Sequence, residues 1–277
     1  MNKTVFTTLA VLLLSGSAVA QNQDNWQTWP LADHFTVSAN AFFQNLDTRI
    51  RLDASDASPG TTVDFEQNLG MSDTETLPGL SIGWRFAKKH RLQFETSDLK
   101  RSGSGIAATD IRFGDEVFTV DLPISSFFDI SVIGLNYSYS FVFDEKKEVA
   151  IDLGLAVQDI KFGLMGNEGL GIIEATSGLT APLPTLGLRG GYAFTDKWIG
   201  KAGAGVFSVD LAISDEEQLN GEVINAYASI QHKTFEHLHF GLSYAYFDVG
   251  VDFKESGLVS SMNYKYQGPV VSIVAVF

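Results

Sequence analysis

The chain has 277 residues, with 33 acidic against 19 basic side chains and no cysteine. This negative balance disfavours nucleic acid as a partner, because phosphate binding requires a basic surface. Without cysteine there are no disulfides, so stability must come from a hydrophobic core or a closed sheet.

The N-terminal segment has the features of a secretory signal. Lys3 precedes an apolar run over Val5–Leu14, and the small residues Ala18–Ala20 form an A-x-A cleavage pattern. The alternative, a membrane anchor, would need about 20 apolar residues, and this run is far shorter. We therefore predict a signal peptide over 1–20, a periplasmic segment over 21–33 and one β-domain over 34–277.

Beyond residue 34 the sequence alternates with a period of two, which places successive side chains on opposite faces of a strand. In 149–158, for example, Val149, Ile151 and Leu153 alternate with Ala150 and Asp152. The pattern predicts ten strands, with eight or twelve as alternatives, starting near residues 34, 76, 90, 126, 147, 181, 197, 221, 237 and 260. In the first strand the apolar face changes near Leu46, which predicts a β-bulge.

Short and long connections alternate along the chain. Short polar links are predicted at 88–89, 144–146, 196–197 and 234–237, and longer loops at 54–73, 103–125, 163–179, 214–220 and 254–258. Outer-membrane barrels alternate short periplasmic turns with longer external loops, so both ends of the domain are expected on the periplasmic side. Residues 111–121 have a strand pattern of their own, which predicts a hairpin or an upward extension within the second loop.

The alternation fits either a soluble sandwich or a membrane barrel. Several segments are long enough for a tilted membrane strand of about 9 to 11 residues. Aromatic residues collect at the segment ends, as in an interfacial girdle; the predicted girdle is Trp84, Phe86, Phe141, Phe143, Tyr192, Phe194 and Trp198. We therefore predict a closed antiparallel up-and-down transmembrane β-barrel.

Charged residues also occupy the face opposite the apolar one. The side chains predicted to point into the lumen are Arg85, Glu95, Asp152, Arg189 and Lys201. An unpaired charge in a closed lumen is costly, so these residues either pair as a plug or line a narrow, water-filled pore. The interior of a small barrel is nearly filled by side chains, which favours the plug.

The sequence contains no phosphate loop, no H-E-x-x-H spacing and no G-x-S-x-G elbow, so no cofactor, metal or catalytic residue is predicted. All five histidines fall near the predicted periplasmic ends of strands. The acidic external loops lack calcium-loop spacing and are interpreted as solvated surface. We therefore expect a protein that is not an enzyme, with a surface hydrolase or lipid-modifying enzyme as a minor alternative.

The last segment, 267–277, is an apolar strand that ends on Phe277. It resembles the terminal strand of Gram-negative outer-membrane barrels, although Ser272 and Ala275 replace the glycine and aromatic residue usual there. The layout is similar to the small OmpA-like and OmpW-like barrels. The resemblance implies an outer-membrane location, Phe277 as a signal for the barrel-assembly machinery, and contact with outer-membrane lipid and lipopolysaccharide.

Two functions remain open from the sequence. The first is a structural or surface-interaction role with a plugged lumen and an external partner that the sequence does not identify. The second is a narrow porin-like channel for ions or small solutes.

Overall fold

The computed structural model describes residues 25–56, 58–168, 171–212, 217–255 and 258–277. The predicted signal peptide lies outside these residues. Within them, no helix is both long and apolar enough to cross a bilayer.

Ten long antiparallel strands make up the main sheet. They are β1 (Phe35–Leu52), β3 (Thr74–Ala87), β4 (His90–Ile106), β7 (Pro123–Phe143), β8 (Lys147–Glu168), β9 (Gly171–Ala193), β10 (Trp198–Ala212), β11 (Glu217–Lys233), β12 (Leu238–Glu255) and β13 (Leu258–Val276). The shorter elements are a 3₁₀ turn (Trp26–Thr28), β2 (Val63–Asp64), α1 (Phe65–Leu69), and the hairpin of β5 (Ile111–Phe113) and β6 (Glu116–Phe118).

The sheet closes on itself. Each long strand pairs with the next long strand along the chain, and β13 returns to pair with β1 from Thr36↔Val276 to Leu52↔Ser260. Around the short-turn half of the barrel, closure pairs every long strand on both sides. Toward the loop end, β9 pairs with β10 only as far as Leu186↔Val206, and β3 pairs with β4 only as far as Gly79↔Ser97. The prediction of a closed ten-stranded antiparallel barrel is therefore confirmed.

The two ends of the barrel differ. The tight connections at 88–89, 144–146, 194–197 and 234–237 lie at one end, together with the start of β1 and the end of β13; we call this the short-turn end. The opposite end, which carries the 53–73 and 107–122 segments, is the loop end. The predicted loop over 163–179 is wrong, because β8 and β9 pair as far as Glu168↔Gly171. The buried inward side chains of Phe162 and Leu164 explain why these strands stay paired.

The predicted bulge near Leu46 is also wrong. The pairing of β1 with β13 keeps one register, from Phe42↔Val270 to Asn45↔Gln267 and onward. The apolar residues change face for another reason: Phe43 points outward at 46% exposure, whereas Ile50 points into the barrel and is buried. The strand itself is regular, and the environment on its two sides changes along its length.

Strand β8 shows this reversal most clearly. Its outward row runs from the exposed apolar side chains of Ile151 and Leu153 to the charged Asp159. Its inward row runs from Asp152 to the buried apolar Ile160. The outward apolar zone, which we call the apolar band, covers about ten residues per strand, as a tilted membrane strand requires. Above the band the barrel has the polarity of a water-soluble protein.

The edge of the apolar band predicts that the loss of stability caused by an outward arginine depends on its position along β7. Leu135→Arg, within the band, should lower the free energy of unfolding by about 2–4 kcal/mol, because the guanidinium would enter hydrocarbon. The matched control is Ser131→Arg, also outward but beside Asp98 and Asp159 in the sheet; it should change stability by less than about 0.5 kcal/mol. Urea unfolding in phospholipid vesicles measures both. Equal costs for the two variants would contradict the proposed boundary.

Candidate functional site in the barrel lumen

A buried network of charged side chains crosses the lumen near the short-turn end. Glu148 lies at its centre: Arg85 Nη2 donates to Glu148 Oε1 at 2.6 Å, and Arg189 Nη1 donates to Oε2 at 3.0 Å. Ser140 Oγ also donates to Glu148, and Arg189 Nε lies 3.4 Å from an Asp152 carboxylate oxygen. We call Arg85, Glu148, Asp152 and Arg189 the lumen cluster.

The strands bring this cluster together from positions far apart in sequence. Arg85 lies on β3, Glu148 and Asp152 lie on the inward row of β8, and Arg189 lies on β9. The sequence predicted Arg85, Asp152 and Arg189 as lumen residues but missed Glu148. The alternation of side chains along β8 could have revealed it, because Glu148 lies two residues before Ala150 and four before Asp152 and therefore points inward with them.

Phe143 differs from its predicted place in the aromatic girdle. A register shift between Ser140 and Val142 turns the end of β7, and Phe143 points inward and is buried. Its ring lies 4.4 Å below the Arg85 guanidinium carbon, a cation–π contact that supports the lumen cluster. The other predicted girdle residues are exposed on the outside of the barrel: Trp84, Phe86, Phe141, Tyr192, Phe194 and Trp198.

The remaining two predicted lumen charges lie apart from the cluster. Lys201 Nζ lies 3.9 Å from Asp33, and Lys233 Nζ lies 3.8 Å from the other oxygen of the same carboxylate. Glu95 is on the inward row of β4, and within the described residues no hydrogen bond or ion pair to it is found. Asp33 was not predicted as a site residue, because it precedes the first strand.

The segment before β1 folds beneath the short-turn end. Leu31 and Ala32 are buried against Phe143 and Ile199. Beside them a cavity of about 670 Å³ opens at this end of the barrel. Its lining includes Trp29, Asp33, Lys233, His239 and Phe277. We call this space the mouth cavity.

The loop end contains a different kind of interior. Helix α1 folds inward, its N-terminus capped by the Asp64 side chain and its C-terminus by Gly70 in the left-handed conformation. Glu66 pairs with the buried Arg101, whose Nη1 also donates to Thr48 Oγ1 at 2.9 Å. The apolar side chains around this pair form one cluster, which we call the loop-end core; it includes Leu46, Ile50, Phe65, Leu69, Phe113, Phe118, Phe128, Ile160, Phe162 and Leu164.

Asp53 ties the loops above this core together. It accepts hydrogen bonds from Arg51 Nε and Gly60 N, both at 2.8 Å, and from Val259 N at 3.2 Å. Burial raises the pKa of the Asp53 carboxyl, but the hydrogen bonds from Gly60, Arg51 and Val259 outweigh burial and hold the pKa below its usual value. The carboxylate is therefore ionised at neutral pH and fixes the first loop to the β12–β13 hairpin.

The histidines lie at the short-turn end, as the topology predicted: they are His34, His90, His232, His237 and His239. Burial, with the positive charge of Arg85, lowers the pKa of His34, so its ring is neutral near pH 7. Among the described residues, no group of three or more His, Asp or Glu side chains is arranged to hold a metal ion.

Comparison with known proteins identifies the fold but no family. No protein-family model and no curated protein matches the sequence. The outer membrane protease OmpT from Escherichia coli has a similar structure, with a TM-score of 0.56, 8% identity, and coverage of 88% of this chain and 97% of that chain. The transport unit of the autotransporter AIDA-I from Escherichia coli gives a TM-score of 0.40 at 10% identity, covering 88% and 89%. A Pseudomonas aeruginosa FadL homologue gives 0.37 at 10%, covering 90% and 91%.

The fold is therefore that of Gram-negative outer-membrane β-barrels, as the resemblance implied, while the OmpA-like and OmpW-like type is not specifically supported. The expectation that the protein is not an enzyme is wrong on this comparison, because the similar structure at TM-score 0.56 is that of a protease. This architecture supports enzymes as well as other functions, so it does not exclude catalysis. At 8% identity the similarity concerns the fold alone.

The contacts of the lumen cluster predict that its central carboxylate contributes strongly to the stability of the barrel. Glu148→Gln removes the carboxylate that both Arg85 and Arg189 use, so it should lower the free energy of unfolding by about 3–5 kcal/mol. The control is Asp159→Asn, which breaks only the exposed pair with Lys161 and should cost less than about 0.5 kcal/mol. Denaturant unfolding in lipid vesicles measures both. A Glu148→Gln variant as stable as the control would show that the cluster is not a buried, dry network.

Proposed function

We propose that the protein is exported to the Gram-negative outer membrane and acts there as a closed barrel that holds its external loops at the cell surface. The observation that carries this proposal is the loop-end core, which fills the barrel above the apolar band. The exported state rests on the predicted signal peptide, and the orientation rests on the lengths of the connections.

Closure of the lumen is supported by two layers of side chains. In the loop-end core, Phe65, Phe113, Phe118 and Phe128 have no measurable exposure. A close-packed apolar layer of this kind excludes water and hydrated ions. The lumen cluster forms a second layer at the short-turn end, where Arg85 and Glu148 are almost fully buried.

A role at the surface is supported by the length of the strands. Beyond the apolar band, β8 continues over residues 159–168, which corresponds to about 30 Å along the strand. The charged residues Asp159 and Lys161 point outward there, while Phe162 and Leu164 point inward. The barrel therefore extends above the membrane around an apolar core, which is suited to presenting loops to another molecule.

Lipopolysaccharide is the partner that the outer wall fits best. Cations point outward above the apolar band, near the level where the lipid phosphates would lie: Arg49, Lys100, Lys161 and Lys265. Arg49 and Lys161 also pair with the acidic side chains of Asp47 and Asp159. In the sheet, Lys100 and Lys161 flank Asp129 on neighbouring strands. The barrel-assembly machinery remains a second proposed partner, through Phe277, whose backbone pairs with Phe35.

A narrow channel is the alternative, and one observation favours it. Within the apolar band the inward positions are small or polar, as in Gly134, Asn136 and Ser138 on β7. This leaves a hydrophilic interior that would conduct if both the loop-end core and the lumen cluster opened. Single-channel recording distinguishes the two functions.

In planar bilayers the wild-type protein should give no conductance steps, because the loop-end core blocks the path of hydrated ions. Insertion is checked by protection of the barrel from added protease. Reproducible conductance steps from the inserted wild-type protein would contradict the closed scaffold and support the channel.

The lipid partner is tested by calorimetric titration of lipopolysaccharide into the detergent-solubilised protein. Lys100→Gln with Lys161→Gln should weaken binding roughly tenfold or more, since each cation near an anionic lipid surface contributes about 1 kcal/mol. The control pair, Lys146→Gln with Lys197→Gln, removes exposed cations at the short-turn end and should leave binding unchanged. Equal weakening by both pairs would indicate only a general effect of net charge.

A further inference from the structure

We propose that the lumen near the short-turn end binds a small anion of the size of chloride, held between Arg91, Arg189 and Lys201. This inference concerns the interior of the barrel and does not depend on the surface role proposed above. It rests on the charge balance, on unpartnered buried donors and on the neighbouring mouth cavity.

The charge balance in this part of the lumen is positive. Among the residues that the structure describes here, five cations face three carboxylates, an excess of two positive charges in a protein whose total charge is −14. The cations are Arg85, Arg91, Arg189, Lys201 and Lys233, and the carboxylates are those of Asp33, Glu148 and Asp152.

Two of the three carboxylates are already committed to other cations through both of their oxygens. Glu148 uses both oxygens on Arg85 and Arg189, and Asp33 is shared between Lys201 and Lys233 at 3.8–3.9 Å. In the described part of the chain, no carboxylate oxygen lies within ion-pair distance of Arg91. Glu95 does not fill this role, because it lies four residues farther along β4, roughly 13 Å away along the strand.

Among the described residues of this part of the lumen, three guanidinium groups keep buried N–H donors without acceptors. Arg189 is only 8% exposed, and its Nη2 has no hydrogen-bond partner, although Nη1 and Nε face Glu148 and Asp152. Arg85 Nε and Arg91 Nε are likewise buried without a partner, and none of these donors bonds to Asp152 Oδ1, which is also unpartnered. A buried donor on a cation is costly to leave unsatisfied, and a bound anion would supply the missing acceptor.

The wall of the barrel places Arg91 in this position. A Cβ atom at position 83 would lie 2.5 Å from Thr36 Oγ1 and 2.7 Å from Arg91 Nη2, so the glycine there lets the guanidinium lie against the wall. Arg189 and Arg85 act on Arg91 as like charges, and Asp33 and Glu148 oppose them. One bound anion would relieve this repulsion and accept hydrogen bonds from Arg91, Arg189 Nη2 and Lys201 Nζ.

An anion can reach this position from the short-turn end. Asp33 lines the mouth cavity and is also the partner of Lys201. The site therefore lies directly behind the cavity, while the loop-end core separates it from the opposite end of the barrel. The cavity lining itself carries Lys197 and Lys233 beside the carboxylates of Asp33, Asp196 and Glu236, so the positive excess lies behind the cavity and not in its lining.

The experiment is anomalous diffraction from crystals of the folded protein in which bromide replaces chloride. The wild-type protein should show a bromide peak within hydrogen-bond distance of Arg91, Arg189 or Lys201. Arg91→Gln should abolish that peak, whereas Lys146→Gln, in an exposed turn, should retain it. Correct folding of each variant is verified by the shift in gel mobility between heated and unheated samples.

A solution measurement provides the affinity. Broadening of the ³⁵Cl NMR signal by the wild-type protein should saturate with chloride, and Arg91→Gln should weaken this binding at least about tenfold. If Arg91→Gln does not fold, the presence or absence of the bromide peak in wild-type crystals still tests the proposal. Bromide found only at surface lysines, or a lumen without bromide, would overturn the proposal even if the barrel is closed as proposed.

Discussion

The structure depends on one constraint: in lipid, every backbone N–H and C=O group must find its partner within the protein. The pairing of β13 with β1 meets this constraint, because it closes the ten-stranded ribbon into a barrel across the apolar band. The short turns follow from it, since neighbouring antiparallel strands need only a few residues to connect. Beyond the apolar band the β7–β8 and β8–β9 pairings continue, whereas the β9–β10 pairing stops at Leu186↔Val206.

The direction in which apolar side chains point distinguishes the two zones of the barrel. Within the band, apolar residues such as Leu153 face outward and the lumen holds Arg85, Glu148 and Arg189. Above the band, apolar residues such as Phe162 face inward and pack around α1. Within the band, the charged side chains of the lumen cluster are therefore shielded from hydrocarbon. Above the band, the apolar side chains of the loop-end core are shielded from water.

Local patterns predicted the strands well, because period-two alternation and turn composition are properties of neighbouring residues. The same patterns gave a wrong prediction where the surroundings of the strand change. Near Leu46 the apolar residues move from one face to the other, which resembles a bulge, because the sequence alone does not say which face meets lipid. Phe143 was misplaced because a register shift reverses its side. Glu148 and Asp33 were missed because their partners lie on strands distant in sequence, and only the closed barrel brings them together.

The central claim is that both faces of the strands reverse polarity at the edge of the membrane. Spin labels placed one at a time along the outward row of β8, from Ile151 to Lys161, test it by their collision rates with oxygen, which concentrates in lipid, and with a water-soluble nickel complex. We expect labels at Ile151, Leu153 and Leu155 to favour oxygen and labels at Asp159 and Lys161 to favour nickel. A uniform preference for oxygen along the whole row, or for nickel along the whole row, would contradict the account.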